Sequence, residues 1–155
     1  MKALRYILII INTIMMQSCV DMCSDGGEPI EEITVTYKNG SDENVYATIM
    51  TTTQQVTPKD LQDTCIPSIT DDKCMMPEES NAIGGLTNHM FINRPYLTVI
   101  FWKESTLKRF TTEEIIQYDI YDDIYHLTYN DLRLFDYNIV YHGYSYWQEN
   151  GINFE

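Results

Sequence analysis

Basic residues are scarce in this chain. Ten lysines and arginines face 23 aspartates and glutamates, a formal charge of −13 at pH 7. A surface so acidic repels phosphate backbones and anionic headgroups, so nucleic acid is not an expected partner and no polybasic membrane clamp is available. Long hydrophobic runs are also missing. The longest, Tyr6–Met16, is interrupted at Asn12 and Thr13, and it falls short of the about 20 apolar residues that cross a bilayer. Histidine occurs only at His89, His126 and His142, never as H-E-x-x-H or as a pair at helical spacing, and G-x-S-x-G is absent. The acidic clusters at Asp42-Glu43, Asp71-Asp72, Asp119 and Asp122-Asp123 do not spell a calcium loop, and they read as solvated loop charge. No fixed-period repeat and no heptad pattern occurs. No cofactor or metal is expected.

What is present begins with an address. Lys2 and Arg5 precede the short apolar run, and Ser18-Cys19 follows it. A basic start, a short apolar core and a small residue before a break form a secretory signal. The small residue directly before a cysteine resembles a bacterial lipobox, with Met16-Gln17 departing from its commonest Leu-Ala pattern. The resemblance implies cleavage before Cys19 and a palmitate-class lipid anchor on it; plain secretion is the alternative. The expected division is a signal peptide over 1–18, a flexible acidic tether over 19–32 with a Gly26-Gly27 pair, and one β-rich domain over 33–155. Removing Lys2 and Arg5 with the signal takes the charge from −13 to −15. The acidic tether leaves the lipid as the only hold on the membrane.

Four cysteines occur, at positions 19, 23, 65 and 74. In an exported chain Cys65 and Cys74 are expected to pair as a disulfide, with free thiols or a metal as the alternatives. Cys23 has no evident partner.

Along the domain, Ile33–Tyr37 and Asn44–Met50 alternate apolar and polar residues around an Asn39-Gly40 turn, which predicts a β-hairpin. Asn39-Gly40-Ser41 also spells a glycosylation sequon, here read as turn composition. Residues 51–76 read as a long loop with a helical turn at Pro58–Gln62. A weak strand at Asn81–Ile83 is expected to break at Gly84-Gly85. Tyr96–Trp102 is the strongest strand, apolar enough to be covered on both faces. Its period assigns Leu97, Val99 and Phe101 to one face and Tyr96, Thr98, Ile100 and Trp102 to the other, the first set being the expected core. Thr111-x-x-Glu114 and Thr128-x-x-Asp131 are capping-box patterns, predicting short helices over Thr112–Gln117 and from Thr128 through Phe135. Tyr125–Leu127 and Tyr137–Tyr141 read as strands, and the tail after Gly143 as an edge strand or frayed end.

ITVTYKNGSDENVYATI, Asp63–Pro67, Pro77–Ser80, TTEEI and LTYNDLRLFDYNIVY together make the chain similar to a group of small uncharacterised lipoproteins of Bacteroidetes. The resemblance spans most of Ile33–Tyr141. It implies a small sandwich-like β domain and carries over no catalytic residue. Cysteines at 65 and 74, and Asp136-Tyr137, depart from the family's pattern.

The fold class expected is therefore mainly β, an antiparallel sandwich with two short helices. The function expected is a lipid-anchored protein of the outer membrane or cell envelope, non-enzymatic, that binds or supports a protein or glycan partner. A hydrolase acting on glycans or peptides is the alternative. The tyrosine-rich end offers the candidate binding surface: Tyr141, Tyr144, Tyr146 and Trp147. Cross-strand aromatic packing is the competing reading of that set.

Overall fold

The computed structural model describes residues 29–70 and 74–149. The signal peptide, Cys19, Cys23 and most of the expected tether lie outside the described residues. Seven strands are described: β1 (Glu32–Asn39), β2 (Val45–Thr52), β3 (Cys74–Met75), β4 (Ser80–Thr87), β5 (Tyr96–Lys103), β6 (Asp123–Leu127) and β7 (Asn138–Tyr141). They form two sheets, ordered β4-β1-β7 and β3-β2-β5-β6. Every pairing is antiparallel except β1 with β7, which is parallel. The mainly β expectation is met.

The helices are more numerous than the two expected: α1 (Met90–Asn93), α2 (Glu104–Arg109), α3 (Thr112–Gln117), α4 (Tyr129–Leu134) and α5 (Tyr146–Glu149). α3 and α4 start where the capping boxes place them. Glu114 N donates to Thr111 Oγ1 at 3.2 Å and Thr111 N to Glu114 at 2.8 Å. Thr128 and Asp131 exchange the same pair of bonds. Each box satisfies two helix-end donors. α1, α2 and α5 carry no such signal. Of the tail after Gly143, Tyr146–Glu149 form a helix rather than an edge strand, and residues 150–155 lie outside the described residues.

β5 organises the core. Its Leu97, Val99 and Phe101 face the first sheet and pack with Ile33, Val35, Ile139 and Tyr141. Its Ile100 and Trp102 face the other way, into a second cluster with Ile66, Ile115, Ile120 and Trp147. Thus α3, α5 and the segment around Ile66 cover the outer face of the second sheet. Both faces of β5 are buried, as its unbroken apolar run predicts.

The expected β1–β2 hairpin is not formed: the two strands lie in different sheets. A two-residue type I′ turn needs positive φ at both Asn39 and Gly40, and neither has it. Asn39 is instead fully buried and ties the crossing together. Its amide donates to Glu43 O and Met75 O, and its side-chain oxygen accepts from Ser41 N and Ser41 Oγ. Burial also withdraws the sequon from solvent. Gly40 serves close approach: its N–H donates to Tyr141 O at 2.8 Å, and an added Cβ would stand 2.9 Å from that oxygen and 3.2 Å from Val140 Cγ1. Gly40→Ala is therefore expected to strain the β1–β7 junction and cost about 1–3 kcal/mol, read as a lowered urea midpoint. An unchanged midpoint would mean that the junction relaxes freely.

Gly84-Gly85 does not end β4. The register with β1 shifts between Ile33 and Val35, and Gly85 has φ +74°. The glycine pair supplies the extra, left-handed residue of a bulge within a continuous strand. At the start of the domain, the last residues of the expected tether are already held. Glu31 N donates to Asn88 Oδ1, Asn88 Nδ2 to Pro29 O, and the Tyr129 hydroxyl to the Glu31 carboxylate. That last bond pushes the Tyr129 pKa up to about 12.

Candidate binding groove

β6 and β7 are edge strands of opposite sheets. The connection between them is α4, whose short span brings the two edges together along one flank of the sandwich. Between them lies a cleft of about 320 Å³ walled by Tyr125, Leu127, Ile139 and Val140, with Phe135 and His142 also lining it. That volume is at the lower end of ordinary ligand sites. Inward side chains of β6 and both faces of β7 contribute, so the groove opens directly beside the main core. Tyr125 joins the two: its ring meets Phe101 edge-on at 5.9 Å, and its hydroxyl donates to Val140 O at 3.2 Å. Burial raises the Tyr125 pKa, and nearby Asp123 and Tyr144 add to the rise. Phe135 is 56% exposed and Leu134 82% exposed beside it, an apolar shoulder on the groove.

The four aromatic residues expected to make one binding surface are divided. Tyr141 is fully buried, stacks on Phe101 at 5.2 Å and donates its hydroxyl to Tyr144 O. Trp147 is buried in the second cluster, edge-on to Phe110 and beneath the Arg109 guanidinium at 4.8 Å. These two are core residues, because alternate positions of a strand and one face of α5 must point inward. Tyr146 is 44% exposed and lies flat on Tyr121 at 4.6 Å on the outer side of the second sheet. Tyr144, 61% exposed, is the exposed member that interacts with groove-lining Tyr125.

The expected bridge between Cys65 and Cys74 is not made; both are free, half-buried thiols. Each is anchored separately on β2. Cys65 ends a 3-10 turn and its carbonyl accepts from Thr48 Oγ1. Cys74 opens β3 opposite Tyr46.

The histidines are dispersed. His89 precedes α1. His126 lies on β6 against Thr98 Oγ1 at 3.1 Å, its pKa lowered by burial. His142 lines the groove. Among the described residues no group of three or more His, Cys, Asp and Glu side chains comes together. A second, open depression contains Asp42, Glu43, Glu104 and Lys108. Three of these charges have local partners: Glu104 binds Lys108 and Asn44, which holds its carboxyl below the usual range, and Glu43 faces Lys103 at 3.6 Å.

One group assigned to solvated charge is not solvated. Asp122 is 1% exposed. Its Oδ2 accepts from Lys103 N at 2.7 Å, and its Oδ1 accepts from Ser145 Oγ and from Trp147 Nε1 at 3.2 Å. Tyr146 N donates to its carbonyl at 2.8 Å. This carboxylate fastens the chain after β7 to the end of β5. Burial raises its pKa, and the bonds it accepts oppose that rise. An Asp-Asp pair in sequence carries no sign of such burial.

Compared with known proteins, the chain matches no family model, no curated protein and no solved structure.

Proposed function

We propose that this protein is a non-enzymatic binding module of the bacterial cell envelope, held to the membrane by lipid on Cys19 and engaging a protein partner through the groove between β6 and β7. The observation that carries the binding role is the groove: an apolar cleft at two adjoining sheet edges, lined by the exposed Phe135, with exposed Leu134 next to it in sequence and exposed Tyr144 interacting with its Tyr125. Exposed apolar groups gathered at one concave place mark interaction sites, whereas single scattered ones do not. The anchor rests on Ser18-Cys19 after the short apolar run.

Two arms test the reading. A fatty-acid analogue fed to cells should label the wild type and leave Cys19→Ala unlabelled; label that survives the substitution removes the anchor. A photo-crosslinker installed at Phe135 or Tyr144 should give a discrete adduct in intact cells, and one at the exposed Glu113 of α3, on the outer face of the second sheet, should not. Identical patterns from all three positions would sink the groove as the binding site.

A further inference from the structure

We propose that the groove receives an extended segment of another protein, apolar at alternate positions and basic at its ends, as an added strand on the free edge of β7. This deepens the binding role above and rests on it.

The backbone of β7 is set up for such an addition. Thr36 N donates to Tyr137 O at 2.9 Å and Gly40 N to Tyr141 O at 2.8 Å. The odd-numbered residues thus face β1, and by the two-residue period Asn138 and Val140 direct their backbone groups to the other side; there the Asn138 N–H already meets Phe135 O at 3.0 Å, so the Asn138 carbonyl and the Val140 N–H are the groups offered to a new strand. Val140 O there is met by a side chain, the Tyr125 hydroxyl at 3.2 Å. That hydroxyl stands where the N–H of a neighbouring strand would come.

The other three sheet edges are blunted in ways that proteins use against strand addition. β4 carries the Gly84-Gly85 bulge. β3 is two residues long. β6 opens on the charged Asp123. β7, reading Asn138-Ile139-Val140-Tyr141, has no charge, proline or bulge. Main-chain bonds to such an edge provide affinity, and pockets for alternate side chains provide specificity. Leu127, Ile139 and Val140 wall that pocket.

Charge selects the occupant. Asp136 follows Phe135 in sequence at one end of β7, and Asp123 lies near Tyr125 on β6. The chain as a whole carries −13. A second copy would bring the same sign to the same place, whereas lysine or arginine at the ends of an incoming strand is attracted.

The test is selection of binders from a displayed library of random short peptides against the purified protein. Enriched sequences should alternate apolar residues and end in Lys or Arg. Methylating alternate backbone nitrogens of an enriched peptide should abolish binding on one edge and leave it intact on the other. Val140→Pro should abolish binding with the fold retained, since the Val140 N–H is outside the β1 ladder and edge positions tolerate proline. Asn138→Lys, at an exposed side chain, is the second variant and should weaken binding at least tenfold. Tyr125→Phe, which frees Val140 O, should tighten it severalfold. Failure to enrich, or enriched peptides indifferent to backbone methylation and to both edge variants, would overturn strand addition; crosslinked adducts from Phe135 would still stand for the binding role. A dimer in sedimentation that Val140→Pro dissolves would put a second copy in the groove and overturn the basic partner.

Discussion

Truncating Phe101 to alanine is expected to cost about 3–5 kcal/mol, the sum of lost transfer energy and the cavity left behind. Phe101 is fully buried and is the ring on which both sheets meet. Tyr141 of the first sheet stacks on it at 5.2 Å, and Tyr125 of the second meets it edge-on at 5.9 Å. Neither neighbour can move in to fill the space, because Tyr141 is bonded to Tyr144 O and Tyr125 to Val140 O. The loss is a large part of the about 5–15 kcal/mol that holds a domain together. Thr98→Ala, three residues earlier on the opposite face, is the control. Thr98 is also fully buried and lies 3.2 Å from Thr52 Oγ1 and 3.1 Å from His126 Nδ1. It removes little apolar volume, so about 1 kcal/mol for the lost hydrogen bond is expected. Urea midpoints of the two variants decide the matter: equal small shifts would mean that β5 is not the shared wall of the core.

That assignment was legible in sequence because seven apolar or β-branched residues in a row leave little choice of environment. The two capping boxes were legible for a similar reason: their chemistry is complete within four residues, so no distant contact can overrule it. Where local signals failed, a tertiary contact decided. Asn39-Gly40 is good hairpin chemistry in isolation, but the buried Asn39 amide finds Glu43 O and Met75 O and directs the chain from one sheet to the other. Gly84-Gly85 looks like a break until β1 is alongside to show the register shift. The aromatic end illustrates the limit on function. Composition marks Tyr141 and Trp147 as equal to Tyr144 and Tyr146, and only packing sorts two inward and two outward. The groove itself has no linear signature. Leu127, Ile139 and Val140 are ordinary strand residues, and it is the meeting of edges from two sheets that makes them walls of one cleft.

The carboxylate of Asp122 leads to the last expectation, on how the C-terminal end is held. Replacing Asp122 with alanine strands the Lys103 N–H, the Ser145 hydroxyl and part of the Trp147 Nε1–H donation, all in the interior. Buried donors left unmatched cost about 1–3 kcal/mol each. Partial relaxation of the tail reduces the sum, so a loss of about 2–4 kcal/mol is expected. The damage should be local to α5, whose Trp147 packs on Phe110, and its fluorescence should shift to the red. Acid gives the more specific signature. The folded-state pKa of Asp122 lies above its ordinary value of 3.8, burial being the main cause. The folded protein therefore takes up this proton at higher pH than the unfolded chain does. Between the raised value and 3.8 the folded state binds more protons, so this group's contribution to stability grows as the pH falls and declines as it rises. Asp122→Asn has no such proton to take up. Carboxylates held down by hydrogen bonds, such as Asp131 with Thr128, act in the opposite sense but are common to both proteins. The stability of wild type relative to Asp122→Asn, measured by urea unfolding from neutral pH into the acid range, should rise as the pH falls. A difference that stays flat would mean that burial and the hydrogen bonds accepted by the carboxylate cancel, and one that shrinks would mean that those bonds outweigh burial; either overturns the raised pKa.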